Sequence, residues 1–108
     1  MIKVLIGDAI MAINPNILAI KKRIIETRRD FHKHPELAFQ EKRTSQIVYK
    51  KLKSFGIKTL KNIGKTGVVG ILKGNNPGKT IAFRADMDAL PIQETGNKPY
   101  KSVNNGVM

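Results

Sequence analysis

The stretch IAFRADMDALPI, residues 81–92, holds two of the eight acidic residues of a 108-residue chain that carries twenty Lys and Arg. Those two acids, Asp86 and Asp88, follow an apolar run and precede Pro91. The run KTIAFRA, residues 79–85, reads as an interior strand by its alternation and β-branched and aromatic content. In extended backbone, residues two apart project to one side, so both carboxylates emerge together where the strand ends. In open α/β sheets that rim is where ligands bind. Two adjacent acids repel unless a cation or a shared proton intervenes, which points to a metal site or a general-base pair. Ordinary loop chemistry, with each Asp bonding nearby backbone, reads the same residues equally well. Arg84, on the same alternating side, is an available charge partner.

Working back along the chain, GVVGILKG (67–74) reads as a second strand, joined to the first across the turn residues GNNPG (74–78). IKTLKNI (57–63) is a third candidate. Two helices precede these strands. The first opens with Asn14 as cap and Pro15 at the first helical position, and Ile17, Ile20, Ile24 and Phe31 share one face. It should end near His34, because Pro35 disfavours helical geometry before it. The second follows a short loop within 35–56, with Val48, Leu52 and Phe55 as its stripe and Gly56 as its stop. The class is therefore α/β: two N-terminal helices followed by strands of a mixed sheet, in one incomplete domain over 14–108. Residues 1–13 form an N-terminal extension.

That extension, MIKVLIGDAIMAI, is interrupted by Asp8, lacks a small-x-small cleavage site and is too short to span a bilayer. It reads as a soluble extension or short strand, and Met11 offers a second start. The tail, residues 97–108, has no recognisable element and stops without a cap, as if cut within one. Cysteine is absent, which removes disulfides and thiolate ligands and fits a cytoplasmic protein without a membrane partner. A net charge of +12 raises nucleic acid or another polyanion as a partner. The six aromatics, however, form no base-stacking pattern among the basic residues, which suit solvated helix faces instead.

Two Gly-Lys-Thr triplets fail as phosphate loops. The required first glycine is Thr59 before Gly64 and Lys73 before Gly78, and a strand-like run follows Thr80 where a helix is needed. Both read as turns. His32 and His34 form a His-x-His pair whose side chains point to nearly opposite sides of a helix, so they pack or cap its end unless the helix frays.

The segments RRDFHKHPELAFQEKRTSQIV (28–48), GVVGILKG, IAFRADMDALPIQE (81–94) and GVM (106–108) together resemble the amino-terminal part of the N-acyl amino acid amidohydrolases. That group includes aminoacylases, hippurate hydrolases, auxin-conjugate hydrolases and related carboxypeptidases. The resemblance runs from about Ile17 to Met108. It implies an α/β catalytic domain that uses zinc, manganese or cobalt to hydrolyse the amide of an N-acyl amino acid or peptide. By match to the second acid of the family's ADMDALP motif, Asp88 is expected to orient a metal-binding residue, as an outer partner of a metal site does. Asp86 stands where more distant relatives place a metal-binding histidine, so metal contact is its expected role. Arg84, Pro35 and Glu36 match family motifs and are expected to be structural.

In the family a segment like His-Ala-Cys-Gly-His-Asp-Gly-His normally follows GVM, with a Glu-Glu pair and further histidines after it. These carry the metal ligands and the general base, and none is present in this sequence. A catalytic metal needs about three protein ligands and a position for water. The chain alone is thus expected to bind no metal and to be inactive, and its uncovered apolar face to favour self-association or a homo-oligomer. A small basic module for nucleic acid or polyanions is the alternative, and steeply salt-dependent binding would distinguish it.

Overall fold

The computed structural model describes residues 3–6 and 9–108, with side chains from Ile13 onward. Strands β1 (Lys3–Ile6) and β2 (Ala9–Ala12) pair antiparallel as a hairpin, while Asp8, which breaks the apolar run, lies outside the described residues. Helix α1 (Pro15–Lys33) begins as its cap chemistry dictates: Asn14 Oδ1 accepts from the Asn16 N–H at 2.9 Å. It ends ahead of Pro35, with the His34 N–H donating to the Asp30 and Phe31 carbonyls.

Helix α2 (Lys42–Ser54) closes with a left-handed glycine. Gly56 has φ +75°, its N–H donates to the Lys53 carbonyl, and the Ile57 N–H reaches back to the Leu52 carbonyl. That pair of bonds satisfies carbonyls the helix leaves open and directs the chain into the next strand. Strands β3 (Lys58–Ile63) and β4 (Gly67–Ile71) then form an antiparallel hairpin whose register shifts at Asn62, a left-handed residue. The turn between them contains the first Gly-Lys-Thr triplet, as a strand–turn–strand in place of a phosphate loop. Gly70 lets β4 approach α2 closely, since a Cβ there would stand 3.2 Å from side-chain carbons of both Leu52 and Ile57.

The α/β class and the order of two helices followed by strands hold. The interior strand over 79–85 does not form. No described strand flanks either edge of that segment, and Phe83 within it is 97% exposed. Extended backbone becomes a strand only by sharing its N–H and C=O groups with neighbours. Among the described residues, a parallel contact appears as an isolated bridge further on, between Leu37 and Ala89.

Residues 89–108 wrap the end of α1. The Ala89 N–H donates to the Glu36 carbonyl, Val103 N–H to Lys33, and Leu90 and Met108 exchange bonds at 2.8 and 3.0 Å. The tail that lacks any element in the sequence is therefore tied at its last residue. Among the described residues no aliphatic, aromatic or methionine side chain is buried; the buried side chains are polar, Glu41, Thr44, Ser45 and Glu94, together with Pro35. The apolar stripe of α1 is half open to solvent at Ile17, Ile20 and Ile24.

Candidate functional site

Asp86 and Asp88 line one open groove of about 1050 Å³, together with Phe31, His32, Glu41 and Thr66. Both aspartates are exposed. Asp86 is not a free carboxylate awaiting a cation. Asp86 Oδ1 instead accepts from Arg84 Nε at 3.0 Å, and Arg84 Nη2 lies 2.9 Å from the same oxygen. The local charge partner offered by the alternation has taken that carboxylate, because nothing else compensates it in this irregular segment. Such an exposed pair holds little energy and opens readily.

Three buried or half-buried glutamates are more firmly built. Glu36 reaches across a loop to the start of α2, where its two oxygens accept from the Arg43 N–H (2.9 Å) and the Thr44 N–H (2.7 Å). Burial pushes its carboxyl up, but the bonds from Thr44 and Arg43 outweigh it and the net direction is below the ordinary value. This carboxylate caps a helix whose own N-cap, Glu41, makes no side-chain cap bond. Glu41 is turned the other way, accepting from Thr66 Oγ1 at 2.6 Å and so tying the β3–β4 turn to the head of α2. Burial raises its carboxyl as well, and the Thr66 hydroxyl and nearby backbone N–H groups bring it below the usual range.

Glu94 joins the ends of the wrap. Its Oε2 accepts from the Ser102 N–H at 2.7 Å, and its Oε1 lies 2.9 Å from His32 Nε2. The Ser102 N–H and then His32 hold its carboxyl below the ordinary value. Tyr100 packs edge-on against the His32 ring at a centroid distance of 5.7 Å. His32 is thus part of the packing at a helix end, as the His-x-His geometry suggested. Glu94 carries no such signal: its partner is 62 positions away, and no local pattern announces the pairing.

The donor set decides what this arrangement can hold. Among the described residues no group of three or more His, Cys, Asp or Glu side chains is placed to bind a metal ion. Asp86 is engaged by Arg84, and His32 by Glu94. These residues do not fit a catalytic divalent metal. No described helix is long and apolar enough to cross a membrane.

No family model matches the chain. Individual proteins do. It is 49% identical to a hippurate hydrolase of Campylobacter jejuni over 91% of its length, covering 26% of that protein. It is 51% identical to an N-acyl-L-amino acid amidohydrolase of Geobacillus stearothermophilus over 82% of its length, covering 24% of it. A carboxypeptidase of Saccharolobus solfataricus is 43% identical over 94% of the chain, with 26% of that enzyme covered. A Bacillus subtilis crystal structure, described as a dinuclear metal-binding peptidase of the M20 family, superposes with TM-score 0.78 at 46% identity, over 84% of this chain and 26% of that one. In sequence and in fold the chain is similar to one part of these amidohydrolases and carboxypeptidases. It spans about a quarter of the length of the relatives it matches.

Proposed function

We propose that this chain supplies one part of the catalytic domain of a metal-dependent amidohydrolase that cleaves the amide of an N-acyl amino acid or peptide. The observation that carries the reading is 49% identity to a hippurate hydrolase across 91% of the chain, joined to a superposition at TM-score 0.78 on a metal-binding peptidase. Residues 14–108 form the domain portion and residues 1–13 an extension. The metal, zinc, manganese or cobalt, takes its main ligands from sequence outside these 108 residues, since the described residues here do not make a ligand set. Asp88 is a positioning residue that orients one of those ligands. Asp86 reaches the metal only once its pair with Arg84 opens. The assembled enzyme works in the cytoplasm and as a homo-oligomer.

A chimera tests this, with the matched quarter of the Campylobacter hippurate hydrolase replaced by the corresponding residues of this chain. The chimera is expected to hydrolyse N-benzoyl amino acids when supplied with a divalent metal and to lose activity to a chelator. Asp88→Asn should lower metal affinity or kcat by about 10- to 100-fold. A folded, metal-supplied chimera without activity on any N-acyl amino acid would refute the reading.

A further inference from the structure

Left-handed backbone suits glycine and, less well, asparagine, because a Cβ there crowds the following carbonyl. Among the described residues Phe39 and Lys65 depart from that rule, with φ +62° and +88°. Phe39 is the third residue of a turn in which the Gln40 N–H donates to the Leu37 carbonyl at 2.9 Å, a place where positive φ calls for glycine. Lys65 lies in the turn between β3 and β4. The two side chains meet: Lys65 Nζ stands 4.6 Å from the centre of the Phe39 ring. Next to that contact, Thr66 Oγ1 donates to Glu41 at 2.6 Å, so neighbouring residues fasten the same two turns together.

A phenylalanine in strained backbone is ordinarily kept for what it packs against. This one is 63% exposed, and it lines the same groove as Asp88. Its turn also runs beside Asp88. Leu37 bridges Ala89 in parallel, and the Ala89 N–H donates to the Glu36 carbonyl at 2.8 Å, so residues 36–39 lie alongside residues 88–90. An aromatic ring steadied by a cation, in backbone that disfavours it, on the wall of that groove is a surface for an apolar or aromatic group of a ligand.

We propose that Phe39 is a specificity-determining residue that receives the acyl group of the substrate, and that Lys65 is a positioning residue that steadies its ring. The proposal rests on the functional reading above and gives it a substrate class: N-acyl amino acids whose acyl group is aromatic or extended and apolar, ahead of N-acetyl ones. Such a group gains contact with the ring that an acetyl methyl is too small to make. Lys65 acts through the ring alone, by attraction between its ammonium and the aromatic face.

The chimera with the Campylobacter hippurate hydrolase tests the proposal, through the ratio of kcat/KM for N-benzoyl over N-acetyl amino acids. Phe39→Gly should lower that ratio about ten-fold, chiefly by raising KM for the N-benzoyl substrate, and Phe39→Tyr should keep most of it. Lys65→Gly should lower it about three-fold, and Lys65→Arg should preserve it. In the 108-residue chain itself, Phe39→Gly should leave the urea midpoint of unfolding unchanged or higher, because glycine suits φ +62°. An unchanged ratio, or a lowered midpoint with both substrates falling together, would overturn the proposal. A chimera inactive on every N-acyl amino acid counts against the functional reading instead. Equilibrium binding of N-benzoylglycine and N-acetylglycine across the same variants then decides the proposal by the same ratio.

Discussion

His32 Nε2 and Glu94 Oε1 lie 2.9 Å apart although 62 positions separate them in the chain, and the other oxygen of Glu94 holds the Ser102 N–H. One buried carboxylate thereby fastens residues 94–102 to the last turn of α1. Replacing it by Glu94→Ala leaves the half-buried Ser102 N–H without an acceptor. Residues 93–108 are then expected to exchange amide hydrogen faster and to be cut sooner by protease, with α2 unchanged. Glu94→Gln should preserve part of the protection, since the amide oxygen still accepts from Ser102.

Acid should release the same contacts. Glu36, Glu41 and Glu94 all hold their carboxyls below an ordinary value of 4.5 in the folded chain. A carboxyl depressed on folding contributes stability that is complete above its unfolded value and is lost as pH falls through the lower folded value. Helix content and loop protection are therefore expected to hold steady from about pH 6 to 8 and to fall below about pH 4.5. Circular dichroism and amide exchange across that range check the sign. A loss between pH 6 and 8 would contradict it.

The bond between Glu36 and the start of α2 makes a third prediction. Its oxygens take the N–H groups of Arg43 and Thr44, two of the donors a helix start leaves open. Glu36→Ala should cost α2 about 1 kcal/mol, the usual worth of an N-terminal cap. The readout is faster exchange in the first turn of α2, with β3 and β4 following because they dock on that helix. Glu36→Gln should recover part of the loss.

Gly70 is a packing constraint. A Cβ at that site meets Leu52 and Ile57 carbons at 3.2 Å, closer than most side-chain contacts. Gly70→Val should push the hairpin from α2 at a cost of about 1–3 kcal/mol. Loss of exchange protection in β4, with α1 unaffected, is the expected result.

The isolated 108-residue chain should not hydrolyse N-acetyl or N-benzoyl amino acids, with or without added metal, because its described residues hold no ligand set of about three residues. Turnover abolished by Asp88→Asn in the purified chain would show that the ligands are closer to complete than the geometry indicates.

Both helices were legible in the sequence because their signals are local. Asn14-Pro15 and Pro35 bound α1, Gly56 ends α2, and each acts within a turn of the residue that carries it. The strand character of β3 and β4 was legible for the same reason, but their pairing was not: the turn residues GNNPG pointed to a hairpin between 67–74 and 79–85 instead. The family motifs were legible because they are read as strings. The segment 79–85 looked like a strand because propensity is local too. Whether it pairs depends on distant chain, and among the described residues no partner lies beside it.

What the sequence determined unaided is thus the local conformation of α1 and α2, the strand character of β3 and β4, and the resemblance of the chain. Tertiary structure alone decided that β3 pairs with β4, that Glu36 caps a helix it does not belong to, and that Glu94 meets His32. Electrostatic and hydrogen-bonding partners are chosen by distance in space. A carboxylate binds whichever donor the fold brings within 3 Å or so, however far away that donor stands in the chain.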